Sequence, residues 1–245
     1  MSLKLLLTGA TGMVGEGVLH EALQFPTVER VTLLGRRASG VVHPKIREIV
    51  HEDLFDLSSI EDRLSGFDAC LFCLGTTSIG KDESEYRRTT HDLTMSLAET
   101  LVKKNPSMTF CYISAMGADN SLRGGGSKSR WKGDEAKGLC LPSNRPARTM
   151  WAQVKGETEN DLMKLPFKAV YSFRPGFLYP TPGMKHTQKY YKYILWMYPF
   201  LRIFVSSRVS TLAELGRAML RVAENGYPKT ILEVTDIKAA AVLRR

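Results

Sequence analysis

No stretch of the 245-residue sequence reaches the ~18 uninterrupted apolar residues of a membrane-spanning helix, so a spanning-helix reading is excluded. Nor is an N-terminal targeting pattern evident, because the first apolar run is short, begins almost at Met1 and turns directly into glycines. Cysteine is scarce. Cys70, Cys73, Cys111 and Cys140 are the full set, and the Cys70-x-x-Cys73 spacing invites a redox or zinc reading. Both lie inside the apolar run 69–74, however, and Cys111 lies in another. They read as small core residues in a reducing cytosol, a cytoplasmic location is expected, and no metal site follows. Aromatic residues are nearly missing from the most basic stretch. Between Ser121 and Arg148 seven lysines and arginines face only Asp134 and Glu135, with Trp131 alone interleaved. More than half of the net charge of +9 sits there, in a segment rich in Gly, Ser and Pro. It reads as a solvated basic insertion at about 120–148, and no specific nucleic-acid binding is expected.

What is present begins with Leu3-Lys4-Leu5-Leu6-Leu7-Thr8 and Gly9-Ala10-Thr11-Gly12-Met13-Val14-Gly15. An apolar run breaks into three glycines at every third position and resumes at helical spacing through Val14, Val18 and Leu19. This predicts strand, tight turn and helix. Gly9 allows the sharp exit from the strand, Gly12 the approach of a pyrophosphate, and Gly15 the close packing of helix on sheet. The free N–H groups of the helix start face the anion.

Val31–Leu34 predicts the second strand, ending in Gly35-Arg36-Arg37. An acid at this strand end would hold the free 2′-hydroxyl of NAD, whereas arginine accommodates the 2′-phosphate of NADP. There is no acid and there are two arginines, which favours NADP over NAD. The alternative is that both merely face solvent. A third strand, Ile46–His51, leads to Asp53 and Leu54, candidates for the adenine amino group and ring. Helix capping competes as a role for Asp53, although Asp56 or Ser58 is better placed for it. Ala69–Leu74 predicts the fourth strand, and Leu74-Gly75-Thr76-Thr77 follows as cofactor-facing backbone. A helix carrying His91, Leu93, Leu97 and Leu101 ends at Asn105-Pro106. Thr109–Ser114 predicts a fifth strand with Ser114 at its C-terminal end, Thr149–Lys164 a helix with Trp151 and Lys155 on one face, and Lys168–Phe173 a sixth strand. Alternating strands and helices imply an α/β fold, a Rossmann-type doubly wound parallel sheet in one domain over 1–245.

Beyond Gly176 the character changes. Residues 188–205 are aromatic, basic and apolar, and suit a lid over a substrate pocket, a homodimer surface or a peripheral membrane contact. The lid would form a small C-terminal appendage over about 177–210. Thr211-Leu212-Ala213-Glu214 has capping-box spacing, and Thr230–Val234 predicts a final strand.

The glycine loop, Cys73-Leu74-Gly75-Thr76-Thr77, Ser114, Val154-Lys155-Gly156-Glu157 and Phe173-Arg174-Pro175-Gly176, in this order, make the sequence resemble the atypical short-chain dehydrogenases/reductases. It looks closest to the Tat-interacting oxidoreductase-like group, often labelled NAD-dependent epimerase/dehydratase. The resemblance covers most of the chain up to Gly176. It implies that Ser114 hydrogen-bonds a substrate carbonyl or hydroxyl, that Lys155 holds the nicotinamide ribose, and that Pro175 and Gly176 lie at the cofactor. Trp151 stands at the usual tyrosine position, and indole does not release its proton near neutral pH. Two expectations therefore stand: an oxidoreductase acting on an unknown small-molecule substrate, with a proton donor such as Tyr179, His186, Tyr190 or Tyr191, or an NADP-binding sensor or scaffold without chemistry.

Overall fold

The computed structural model describes residues 2–121, 150–181 and 208–243. Among them, seven parallel strands form one sheet in the order β3-β2-β1-β4-β5-β6-β9. These strands are β1 (Leu3–Thr8), β2 (Val28–Gly35), β3 (Ile46–Val50), β4 (Ala69–Phe72), β5 (Thr109–Ile113), β6 (Ala169–Phe173) and β9 (Ile231–Leu232). A separate parallel pair joins β7 (Phe177–Tyr179) to β8 (Val209–Thr211). The helices are α1 (Met13–Gln24), α2 (Glu83–Arg87), α3 (Leu93–Lys104), α4 (Met150–Leu162), α5 (Leu212–Asn225) and α6 (Val234–Val242).

Alternation along each strand sorts the core into two layers. Leu5, Leu7, Leu71, Cys111 and Phe173 pack with α1, α5 and α6, whereas Leu6, Cys70, Phe72, Phe110 and Tyr112 pack with α3 and α4. Cys70, Cys73 and Cys111 are buried free thiols, and burial raises their pKa, which suits core residues and not metal or redox ligands. No helix among the described residues is long and apolar enough to cross a membrane.

The predicted elements hold with local corrections. The final strand shrinks to Ile231–Leu232, because Glu233 caps a helix that the sequence reading missed: Glu233 N–H donates to Asp236 Oδ2 at 3.3 Å, and Val234 starts α6. The polar stretch before Thr90 contains α2, whose Asp82 cap accepts from Glu85 N–H at 2.8 Å. His91 lies in a π turn, Arg88–Asp92, that joins α2 to α3. The β7–β8 pair was also not anticipated. The capping box of α5 is present: Thr211 Oγ1 accepts from Glu214 N–H at 3.0 Å, and Glu214 Oε2 accepts from Thr211 N–H at 2.8 Å. Thr211→Ala is expected to cost about 1 kcal/mol, read as a lower midpoint in urea denaturation with an unchanged slope. The basic segment and the stretch from 182 to 207, including Tyr190, Tyr191 and His186, lie outside the described residues.

Candidate functional site

In open parallel sheets ligands bind beyond the carboxyl ends of the strands, where the strand order reverses. Here that point lies between β1 and β4. Gly9 leaves β1 with φ +73°, and a Cβ on it would stand 2.6 Å from Cys73 O at the exit of β4. A Cβ on Gly15 would run into Gly9 O, so the third glycine sets how closely α1 lies on the turn. The turn closes through Gly12 N–H donating to Gly9 O at 2.9 Å. Gly12 is the N-cap of α1 and supplies no side-chain cap, so N–H groups of the first turn, at Met13, Val14 and Gly15, remain for an anion. Thr11 is exposed beside them.

From this turn a cleft of about 230 Å³ extends over β2 and β3. Of the residues that the sequence reading names for the cofactor, Gly9, Thr11, Arg36, Arg37, Leu54 and Leu74 line it. Arg36 and Arg37 are exposed and form no ion pair among the described residues. Ser39 and Glu48, which the sequence reading missed, also line it. No local pattern announces Glu48, since its place follows from the pairing of Leu33 with Glu48 between β2 and β3. Asp53 does not line this cleft: its Oδ1 accepts from Phe55 N–H at 2.8 Å in a turn that delivers buried Leu54 to the wall.

The second half of the site forms where β5 meets α4. Ser114 is buried at 4% exposure, and its hydroxyl has no hydrogen-bond partner among the described residues. Lys155 Nζ donates to Ile113 O at 3.2 Å, next to Ser114, and lies 5.3 Å from the centroid of the Tyr112 ring. Burial pushes the lysine pKa down to about 8, against the opposing effect of Glu159 one turn on. Trp151, half-buried and one turn before Lys155, reaches toward Gly117 in the loop after β5. Ser114, Lys155 and Trp151 thus share the β5–α4 end of the sheet.

Gly75 and Thr77 are exposed in the loop after β4, where Thr77 Oγ1 accepts from Ile79 N–H at 3.2 Å; Thr76 is half-buried. Pro175 O accepts from Met116 N–H at 3.1 Å, and Gly176 packs so closely on Arg208 O that a Cβ would collide. Both therefore brace the loops around the β5 end. Tyr179 is half-buried in β7. His91, Glu157 and Asp161 gather their ligand atoms within 4.8 Å, but Asp161 Oδ2 already bonds His91 Nε2 at 2.9 Å and Glu157 pairs with Arg87. That is an ion-pair network joining the π turn to α4.

The glycine turn, the uncapped helix and the arginine-lined cleft fit a pyridine dinucleotide: the backbone can approach a pyrophosphate, and the cations of the cleft at the end of β2 suit a ligand of negative charge. A family profile described as NAD(P)H-binding matches residues 9–145. The protein HTATIP2 of Rattus norvegicus is 27% identical over 175 residues, covering 70% of this chain and 61% of the relative. FMP52 of Eremothecium gossypii, named mitochondrial, is 29% identical over 175 residues, covering 71% and 65%. These alignments span less than two thirds of either relative. FMP52 proteins of other fungi carry the same mitochondrial name, which overturns the expectation of a cytoplasmic location. That expectation rested on the absence of a leader pattern and on buried cysteines, and neither feature reports an address. The UDP-N-acetylglucosamine 4-epimerase of Methanobrevibacter ruminantium M1 superposes with a TM-score of 0.62 at 13% identity, covering 94% of this chain and 76% of that one, a likeness of fold. By profile, relatives and sheet order, the chain belongs to the NAD(P)H-binding family as an atypical short-chain dehydrogenase/reductase of the HTATIP2-like group.

Proposed function

We propose that the protein is an NADP(H)-dependent oxidoreductase acting on a small carbonyl or hydroxyl compound. The observation that carries the NADP reading is the pair Arg36 and Arg37, which line the cleft without an ion pair among the described residues, with no acid at the end of β2. Guanidinium groups match a phosphate dianion in charge and geometry. Bound NADPH would supply the hydride. The protein's own residues then have three tasks. Arg36 and Arg37 would hold the 2′-phosphate and the first turn of α1 the pyrophosphate. The buried Ser114 hydroxyl, without a partner among the described residues, would donate to the substrate oxygen. Lys155 would hold the nicotinamide ribose, and with a pKa of about 8 it can also release a proton near neutral pH, which the indole of Trp151 cannot.

Trp151 favours a second reading, a protein that binds NADP(H) and responds to it without turnover. One set of measurements separates the two. Calorimetry is expected to give tighter binding of NADPH than of NADH, and Arg36→Asp to weaken NADPH about tenfold with little change for NADH. Preference for NADH would remove the arginine argument. Over a carbonyl panel, Ser114→Ala and Lys155→Ala are expected to abolish NADPH oxidation. Tight NADPH binding by the wild type without turnover on any member supports the binding reading.

A further inference from the structure

The adenosine cleft contains a carboxylate that the NADP reading leaves unused. Glu48, on β3, lines the cleft together with Arg36 and Arg37 and is half-buried. One of its oxygens is engaged: Oε1 accepts from both Ser39 N–H at 2.9 Å and Ser39 Oγ–H at 2.5 Å. Ser39 Oγ in turn accepts from Val41 N–H at 3.1 Å, so Glu48 braces the loop that follows the two arginines. Its other oxygen, Oε2, accepts no hydrogen bond from the described residues.

The two forms of the cofactor meet this group in opposite ways. A 2′-phosphate brings up to about two negative charges and three acceptor oxygens, so a carboxylate in the same small cleft repels it and has no proton to offer. A free 2′-hydroxyl carries a proton and can donate to a carboxylate oxygen. The end of β2 lacks the acid that performs this task in NAD-binding sheets, and Glu48 supplies one from the neighbouring strand.

We propose that Glu48 is a specificity-determining residue which works against the 2′-phosphate and for the free 2′-hydroxyl, so that the cofactor preference of the cleft is the balance of Arg36 and Arg37 against Glu48. The inference rests on the NADP reading above and adds the residue that limits it. It also explains why the carboxylate is held at a single oxygen: Ser39 fixes its position without neutralising its charge.

The probes are adenosine 2′,5′-bisphosphate and 5′-AMP, which differ by the 2′-phosphate alone, titrated calorimetrically into the full chain. Glu48→Gln keeps an acceptor for Ser39 and removes the charge. The expected result is bisphosphate binding at least about threefold tighter, with 5′-AMP unchanged or weaker, and a gain that shrinks in about 1 M salt. Equal shifts for both ligands would make Glu48 a loop brace only and overturn the proposal, as would no shift for either. The two readings fail separately. A wild type that prefers the bisphosphate, with the preference unchanged in Glu48→Gln, removes Glu48 and keeps NADP. A wild type without preference, in which Glu48→Gln creates one, removes NADP and keeps Glu48.

Discussion

Arg174→Met is expected to remove about 3–5 kcal/mol of stability, measured by urea denaturation. Glu159 is fully buried on α4, and Arg174, at the end of β6, grips it with Nε to Oε1 at 2.9 Å and Nη2 to Oε2 at 2.5 Å. Arg174 Nη1 also reaches Glu233 Oε1 at 3.2 Å, at the cap of α6. Removing the guanidinium leaves a carboxylate without its cation where water cannot compensate. The energy belongs to the broken pair more than to the intact one, since two buried charges also pay for desolvation. Accordingly the double variant Glu159→Leu with Arg174→Met is expected to lose much less than Arg174→Met alone. A single-variant loss under about 1 kcal/mol would show that Glu159 finds solvent or another cation.

The second large effect concerns the lysine. Its pKa falls from the ordinary 10.5 to about 8 in the folded protein, so between these values the unfolded chain binds more protons. Stability therefore rises with pH from about 8 to about 10.5, and below 8 the buried ammonium costs a constant amount, at most about 3 kcal/mol. Lys155→Met is expected to raise stability at pH 7 by a part of that amount. The gain should vanish as the pH approaches 10.5, while NADPH binding weakens at pH 7. Denaturation at pH 7 and at about pH 10 reads it. An equal gain at both pH values would assign the effect to packing and not to charge. On the proposed function, the group that would act on cofactor and substrate is thus kept at the expense of fold stability.

The local signals in the sequence were strong where one segment carries the whole message. The glycine turn, the Arg36-Arg37 strand end, Ser114 at the tip of β5 and the Thr211–Glu214 box are each fixed by a few neighbouring residues, and each stands where expected. What was missed depends on partners distant in sequence. Glu48 enters the cleft through register with β2, and the Arg174–Glu159–Glu233 cluster joins three elements. The strand pair β7–β8 is similar, since three residues ending in Tyr179 give no periodicity until Val209–Thr211 lie beside them. Asp53 shows a contact of shorter range: its Oδ1 accepts from Phe55 N–H two residues on, in a turn that its position after a strand does not announce.

The contact between α1 and α5 bears on how the chain is made. Gly216 of α5 sits so close to α1 that a Cβ would stand 2.9 Å from Glu21 Cγ, and Leu215 and Met219 share one core layer with Val18 and Ala22. The helix whose amino end faces the cleft therefore has its back covered by residues that leave the ribosome well after it does. A nascent chain that has released only the stretch matched by the family profile, 9–145, still exposes the apolar side of α1. Until α5 has emerged, that side of α1 is a surface for chaperones.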